Sequence, residues 1–269
     1  MITRLAGSLL RQSPRLRRVV WVGAYRYLSA RYVGQDWTFT NYGLAMGDRD
    51  PDRPHVHPED EPDRLSIQLY DRVASGKLRG LDVLEISCGR GGGASYMARC
   101  LQPRFTVGLD AAPGMIAFCR LRHRLPGLSF CVGDAEALPF GNETFTAVVN
   151  VEAAHCYGSV PRFLSQVHRV LQPDGWLLFA DMHDRRDVSG VRAALRAAGF
   201  TTVEEEDITP GVVRALEEKS DRTEEWISSN VPRPLRGALA AFAGVRNTAR
   251  HRTLRGGETA YLRFSARKH

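Results

Sequence analysis

The chain has 269 residues, of which 43% are hydrophobic and 25% are charged, which excludes wholesale disorder, a collagen-like repeat and a disulfide miniprotein. The net charge of +7 is unevenly placed: residues 1–35 carry +7, residues 36–231 carry −8 and residues 232–269 carry +8. Two basic ends therefore flank an acidic middle.

The N-terminal segment, residues 1–35, holds seven arginines and no acidic residue. Arginines interrupt each of its apolar runs, which is not the pattern of a secretory signal. The segment predicts a basic amphipathic helix that docks on the rest of the chain or on a membrane surface. An organellar transit peptide is the alternative.

The cysteines and the hydropathy indicate the cellular compartment in which the protein is expected. None of the five cysteines forms a CxxC pair, so the sequence predicts neither a disulfide framework nor a zinc site. A reducing, cytoplasmic compartment is expected. The chain has no run of 18 apolar residues, and no membrane span is predicted.

Between residues 78 and 209, short apolar runs alternate with segments of helical periodicity. The pattern predicts strands at 78–87, 104–110, 128–135, 144–153, 176–182 and 201–208. It predicts helices at 94–101, 113–126, 160–175 and 189–200. Such alternation indicates parallel βαβ units, and the continuously apolar strands indicate a sheet covered on both faces.

The pattern changes after residue 209. Residues 210–258 contain no strand pattern and predict helices and turns, whereas the last residues return to strand character. We expect four parts: a helical N-terminal segment over 1–77, a ligand-binding core over 78–209, a helical insertion over 210–258 and a final strand over 259–269. An insertion of this length is typical of a substrate lid.

A glycine-rich turn follows the first strand. Its sequence, residues 85–93, is Glu-Ile-Ser-Cys-Gly-Arg-Gly-Gly-Gly, with a carboxylate two residues before the turn. Glycines there let the backbone approach a ligand closely. A dinucleotide-binding turn would have glycine at Ser87, and a phosphate-binding P-loop would require Gly-Lys-Ser/Thr, so both fit poorly.

This segment resembles motif I of the class I S-adenosylmethionine-dependent methyltransferases, E-x-G-x-G-x-G, with Ser87 in place of the first glycine. Asp110, residues 133–140 and residues 170–176 are similar to the next three motifs, in the same order. The resemblance implies a Rossmann-like α/β fold. Its seven-stranded sheet would be mostly parallel with an antiparallel last strand, capped by the N-terminal helices and the 210–258 insertion.

The same resemblance implies that the cofactor is S-adenosyl-L-methionine. It assigns cofactor contacts to Glu85, Ser87, Cys88, Gly89, Gly91, Asp110, Ala111, Asp134, Ala135 and Asn150. In such proteins the acid at Asp110 binds the ribose hydroxyls, while Asp134 faces the adenine amino group and Ala135 the edge of that ring.

A closer resemblance covers nearly the whole chain, from about residue 20 to residue 268. It is carried by residues 36–43, 87–96, 150–157, 162–171, 212–216 and 254–265. These segments resemble the actinobacterial phthiotriolone/phenolphthiotriolone dimycocerosate O-methyltransferases and their glycopeptidolipid fatty-acid relatives. The resemblance implies that a hydroxyl of a lipid or polyketide-type substrate becomes a methyl ether. A tailoring enzyme acting on a smaller natural product at O, N or C, and a cyclase-like protein without methyl transfer, remain alternatives.

The end of the fourth strand provides the catalytic candidates. His155 follows this strand, where a neutral imidazole could accept the proton of the acceptor hydroxyl; shaping the pocket is the alternative. Asp181, at the end of the fifth strand, would orient His155, contact the substrate or cap the next segment. Residues 181–184 carry metal-ligand side chains without a distant partner, so no metal is predicted.

The remaining predictions concern what the protein contacts: its substrate, nucleic acid and a membrane. Trp37, Tyr42, Tyr157 and His183 are predicted to contact the substrate, with Phe39, Tyr261 and the 210–258 insertion as further wall candidates. Simple packing is the alternative for the aromatic residues. Residues 150–157 lack the (D/N/S)-P-P-(Y/F/W) motif used on nucleic-acid bases, so no nucleic-acid partner is expected. Basic ends around a lipid-modifying core favour peripheral contact with the inner face of an anionic membrane.

Overall fold

The structure is a computed structural model, and it describes residues 37–269. The amphipathic helix predicted near the N-terminus, with Arg15, Arg17 and Arg18, lies outside the described residues. Helices and strands are numbered here from the first described element.

Seven strands form one sheet in the order β3-β2-β1-β4-β5-β7-β6. They are β1 (Asp82–Ile86), β2 (Phe105–Asp110), β3 (Leu128–Val132), β4 (Phe145–Val151), β5 (Leu171–Asp184), β6 (Phe200–Asp207) and β7 (Thr259–Lys268). β1 to β5 pair in parallel, and β7 runs antiparallel to β5 and to β6. The predicted mostly parallel sheet with an antiparallel last strand is confirmed. Its strand order reverses between β1 and β4, which is where ligands bind in open α/β sheets.

Eight α-helices flank this sheet in the described part of the chain. They are α1 (Arg64–Ala74), α2 (Gly92–Cys100), α3 (Pro113–Arg122), α4 (Val160–Val170), α5 (Val188–Ala197), α6 (Thr209–Asn230), α7 (Arg233–Phe242) and α8 (Ala249–Arg255). The insertion predicted to lack strands thus forms α6, α7 and α8. Across residues 37–269, no helix has both the length and the apolar character needed to cross a membrane.

Two predicted helices end earlier than expected. The helix predicted over 113–126 ends at Arg122, and His123 leaves the helical region with φ of −113°. The helix predicted over 160–175 ends at Val170, because β5 begins at Leu171, which pairs with Phe145 of β4. Strand pairing, which local periodicity does not report, fixes this second boundary.

Apolar side chains cover both faces of the sheet, as the continuous strands predict. On β5, Leu178 and Ala180 pack in the cluster that contains the apolar face of α1. Leu177 and Phe179 point to the other face and pack with α4 and α5. A parallel strand in the middle of a sheet is buried in this way on both sides.

A network of charges attaches β6 to the rest of the fold. Arg263 of β7 is only 7% exposed and lies 3.0 Å from the carboxylates of both Glu204 and Glu206 on β6. Arg72 of α1 pairs with Glu206 at 2.7 Å, and Lys77 pairs with Glu204 at 2.8 Å. The hydrogen bond from Lys77, with the contacts of Arg263, lowers the pKa of Glu204 to about 2. The acidic half of β6 is therefore a structural feature.

Arg263→Met should destabilise the protein, because it leaves two carboxylates beside the position of a lost, buried cation. We expect the free energy of unfolding at neutral pH to fall by about 1–3 kcal/mol, measured by urea denaturation. The lowered pKa of Glu204 contributes stability above its ordinary value of 4.5 that is lost as the pH falls towards 2, so the difference should shrink with acid. Arg196→Met, at an exposed arginine of α5, is the matched control and should change stability by less than about 0.5 kcal/mol. Equal losses in the two variants would contradict this role.

Candidate active site

The turn after β1 keeps the path of a glycine-rich loop despite its serine. Ser87, Gly89 and Gly91 have φ of +60°, +55° and +78°. This left-handed region is rarely adopted by residues other than glycine. The Oγ of Ser87 shares a 2.7 Å hydrogen bond with the Oη of Tyr157, which holds the serine in place. The missing first glycine is thus replaced by a residue in the same backbone conformation.

Tyr70 of α1 fixes the turn from behind. A Cβ on Gly93 would lie 2.1 Å from two atoms of the Tyr70 ring, so only glycine fits at this crossing. The Oη of Tyr70 donates to Oε1 of Glu85 at 2.6 Å. Burial raises the pKa of Glu85 to about 8. Sequence patterns did not identify Tyr70, because α1 comes before the motif and carries no signal of its own.

A cavity of about 120 Å³, here called the inner cavity, opens at this turn. Seven sequence-predicted site residues line it: Ser87, Gly89, Asp110, Ala111, Asp134, Ala135 and Tyr157. Tyr157 was predicted to contact the substrate, but the structure puts it here, beside Ser87. Residues that the sequence did not single out also line this cavity, among them Thr40, Asn41 and Glu152.

Asp110 presents a carboxylate to the inner cavity. Its Oδ2 accepts the N–H of Gly89 at 3.0 Å, and its Oδ1 accepts the N–H of Ala112 at 2.9 Å. Burial raises the pKa of Asp110 to about 6, so the group is mostly ionised at neutral pH. An ionised carboxylate has about four acceptor positions, which leaves capacity for the hydroxyl groups of a ligand.

The other predicted cofactor residues lie behind the cavity wall. They are Glu85, Cys88, Gly91 and Asn150. Asn150 donates from Nδ2 to the carbonyl of Ile86 at 2.9 Å and to the Oη of Tyr157 at 2.8 Å, which holds the turn against β4. The buried Oδ1 of Asn150 has no hydrogen-bond partner among residues 37–269. These residues shape the cavity without facing it.

His155 and Asp181 form a close pair next to the inner cavity. Nδ1 of His155 donates to Oδ1 of Asp181 at 2.7 Å, and the backbone N–H of His155 donates to Oδ2 at 2.9 Å. Burial alone would lower the pKa of His155, but the charge and hydrogen bond of Asp181, with a smaller contribution from Cys156, raise it well above its ordinary value. Asp181 thus favours the charged form of the imidazole, and neither residue lines the inner cavity or the outer cavity described below.

A second, apolar cavity of about 290 Å³, here called the outer cavity, lies between α1, α6 and α7. Its walls include Trp37, Phe39, Tyr42, Met115, Leu216, Trp226, Ile227, Leu239, Phe242 and Ala243. Trp37 and Tyr42, which the sequence predicts as substrate contacts, thus line this cavity. His183 lies on neither wall and packs against Phe179, with ring centroids 5.9 Å apart. Tyr261 also lies on neither wall and is fully buried.

Residues 37–46 separate the two cavities, and Thr40 and Asn41 line both. Nε of Arg90 donates to the carbonyl of Trp37 at 2.7 Å, which ties this segment to the glycine-rich turn. The Oη of Tyr42 donates to the carbonyl of Phe242 at 2.8 Å, which ties the segment to α7. Lys219 of α6 donates to the carbonyls of Asn41 and Tyr42 at 3.1 and 3.3 Å.

Gly93→Ala should damage the turn, because its methyl group would overlap the Tyr70 ring. Relieving the overlap requires Tyr70 to move away from Glu85, and we expect a loss of about 1–3 kcal/mol in unfolding free energy. Gly190→Ala is the matched control: a Cβ there meets no atom within 4 Å and sits inside α5. Alanine should stabilise that helix by about 0.5–1 kcal/mol. Chemical denaturation should thus give effects of opposite sign, and a harmless Gly93→Ala would contradict the packing described here.

Comparison with known proteins agrees with this geometry. Residues 84–179 match the family model of a methyltransferase domain. A phthiotriol/phenolphthiotriol dimycocerosates methyltransferase of Mycobacterium leprae is 38% identical over 250 residues, 93% of this chain and 92% of that protein. A fatty-acid O-methyltransferase of Mycolicibacterium smegmatis is 38% identical over 244 residues, 89% of this chain and 86% of that protein.

Solved structures show the same fold at lower identity. The cyclase SpnF superposes with a TM-score of 0.71 at 20% identity, covering 91% of this chain and 94% of that one. At that identity the likeness concerns the fold alone. The two longer sequence matches decide the family, because they span nearly the full length of both partners. The chain belongs to the phthiotriol/phenolphthiotriol dimycocerosates methyltransferase family, and it is an S-adenosylmethionine-dependent class I methyltransferase.

Proposed function

We propose that this methyltransferase converts a hydroxyl group of a hydrophobic lipid or polyketide-type acceptor into a methyl ether. The observation that carries the proposal is the apolar outer cavity, which lies beside the inner cavity and shares Thr40 and Asn41 with it. The names of two full-length relatives, one for dimycocerosates and one for a fatty acid, support an acceptor of lipid character.

The inner cavity suits the cofactor. When bound, S-adenosyl-L-methionine supplies an electrophilic methyl group. We assign the ribose hydroxyls to Asp110, whose carboxylate keeps acceptor capacity. We assign the adenine ring to Asp134 and Ala135, on the cavity wall after β3. Gly89 leaves the backbone open on this side, since a Cβ there would meet only the side chain of Thr40.

The outer cavity suits the acceptor. Its apolar walls come from α6, α7 and residues 37–46, so an acceptor held there is removed from water and aligned with the inner cavity. We propose that the 210–258 insertion acts as the lid over this acceptor. Polar residues, among them Asp63, Lys219 and Arg222, are a minority of the lining. The mostly apolar walls therefore favour a lipid acceptor over a smaller, polar natural product.

Incubation with methyl-labelled cofactor and lipid extract from the native host tests this function directly. Mass spectrometry of the labelled lipids should show a gain of one methyl group at a hydroxyl oxygen. Label that appears only in small polar metabolites, or at nitrogen or carbon, would contradict the proposal. A defined long-chain alcohol and its shortened analogue provide a second comparison, with the long chain expected to react faster.

Ala243→Phe should impair acceptor binding, because the new ring projects into the outer cavity from the end of α7. We expect KM for a long-chain acceptor to rise about tenfold and the Kd for S-adenosylhomocysteine to stay the same. Ala238→Phe is the matched control, because this residue is exposed on the same helix and lies outside both cavities. Equal changes in KM for the two variants would mean that the outer cavity does not hold the acceptor.

We also propose that the basic N-terminal segment contacts an anionic membrane surface, where a lipid acceptor would reside. The support is the charge of +7 in residues 1–35. Arg15, Arg17 and Arg18 replaced together by glutamine should weaken binding to phosphatidylserine vesicles by about 100-fold, because each surface arginine contributes about 1 kcal/mol. Vesicle co-sedimentation measures this, with neutral phosphatidylcholine vesicles as the control. Unchanged binding would contradict the contact.

A further inference from the structure

We propose that Glu152 accepts the proton of the acceptor hydroxyl during methyl transfer. This inference rests on the proposed function, because it concerns an alcohol as acceptor. In this step the O–H bond breaks and its electron pair stays on the oxygen. That oxygen forms the new O–CH₃ bond while the bond between the methyl carbon and its sulfur breaks, and the electron pair of that bond stays on the sulfur, which leaves as an uncharged thioether. The proton moves to the Glu152 carboxylate, which becomes a neutral carboxylic acid.

The backbone at Glu152 is the first observation. Glu152 follows β4 directly and has φ of +55°, a left-handed conformation that costs a residue other than glycine about 1 kcal/mol. β4 lies next to β1, at the position where the strand order of the sheet reverses. The strained residue therefore sits at the carboxyl edge of the sheet, where ligands bind in this architecture.

The contacts of the carboxylate are the second observation. Oε2 accepts the N–H of Tyr42 at 2.9 Å and the O–H of Tyr261 at 3.0 Å. Oε1 has no hydrogen-bond partner among residues 37–269, and Glu152 lines the inner cavity. One oxygen is thus fixed by the protein while the other is available to a proton donor in the cavity.

The position of Glu152 relative to both cavities is the third observation. Its partner Tyr42 belongs to residues 37–46, which separate the cavities, and Tyr42 itself lines the outer cavity. The N–H of Tyr42 binds Glu152 and its carbonyl accepts from Lys219. The carboxylate therefore lines the inner cavity and is held by the segment that borders both cavities.

The surroundings of Glu152 tune its proton affinity. Titratable groups face it from α1, β5, the loop after β4, α6 and β7: Tyr70, Asp181, His155, Lys219 and Tyr261. Burial is the main cause that raises the pKa of Glu152 to about 7, and Asp181 adds to it, while the hydrogen bonds and His155 act in the opposite direction. A general base works best when its pKa lies near the operating pH.

His155, the base expected from the sequence, is less suited to this step. Its ring lies on neither cavity wall, and the charge and hydrogen bond of Asp181 raise its pKa and so favour the charged form of the imidazole. A protonated imidazole has no free lone pair to accept a proton. We therefore assign His155 and Asp181 as positioning residues, which hold the loop that follows Glu152.

Glu152→Gln tests the proposal, because the amide keeps the shape and the acceptor oxygen for Tyr42 and Tyr261 but cannot take up the proton. We expect kcat at about pH 8 to fall by about 100-fold or more, with the Kd for S-adenosylhomocysteine within about threefold of wild type. The kcat of wild type should decrease as the pH falls below about 7, because Glu152 becomes protonated there. The variant should not show this decrease, which is the acid limb of the pH profile. Glu143→Gln is the matched control: Glu143 also has a left-handed φ, of +52°, but lies before β4, outside both cavities.

A second measurement does not depend on turnover. The raised pKa of Glu152 contributes stability below about pH 4.5 that is lost as the pH rises through about 7. Without cofactor, the Tm of Glu152→Gln minus that of wild type should therefore increase over this range and then level off. For Glu143→Gln the difference should stay flat.

The outcomes separate the two proposals. If wild type methylates no alcohol at all, the proposed function fails, and the base fails with it. If wild type methylates an alcohol but Glu152→Gln keeps its rate or its acid limb, the function stands and the role of Glu152 is overturned. A Tm difference that does not change with pH would also overturn it, since the carboxyl would then titrate near its ordinary value.

Discussion

The site depends on burying carboxylates at one edge of the sheet. β1, β2, β4 and β5 each bring one to this edge, and they are Glu85, Asp110, Glu152 and Asp181. Removing a carboxylate from water disfavours its charge, which raises the pKa of the first three. Burial would also raise the pKa of Asp181, but the charge and hydrogen bond of His155 lower it. Burial and neighbouring groups thus give the four carboxyl groups along this edge different proton affinities.

The partition formed by residues 37–46 is the second constraint, because it turns one cleft into two cavities of different chemistry. Backbone groups of this segment bind three parts of the fold: Arg90 of the glycine-rich turn, Lys219 of α6, and Glu152 directly after β4. The inner cavity is lined by carboxylates, small residues and two tyrosines, and the outer cavity mostly by aromatic and aliphatic residues, with Asp63, Lys219 and Arg222 as charged ones. Since Lys219 of α6 and Phe242 of α7 bind this segment, both helices hold the wall between the two cavities.

Much of the inner cavity could be predicted from the sequence, since many of its residues come from short motifs at strand ends. Ser87, Gly89, Asp110 and Asp134 all line the inner cavity. Glu152 has a comparable signal in the sequence: like Asp110, it is an acid at the end of an apolar strand. Other wall residues, Thr40, Asn41 and Lys219, had no such signal. They reach the site through contacts made more than 100 residues away in the chain, for example between Lys219 and Asn41.

The α/β class, the seven strands, the glycine-rich turn and the family resemblance could all be predicted from the sequence, because apolar periodicity and turn chemistry are local properties of the chain. Which carboxylate faces the cavity and which histidine has a raised pKa depend on the tertiary structure. A pKa depends on burial and on neighbours such as Asp181 beside His155, 26 residues away. The apolar outer cavity was likewise decided by how α6 and α7 pack over residues 37–46, a long-range contact that no local pattern encodes.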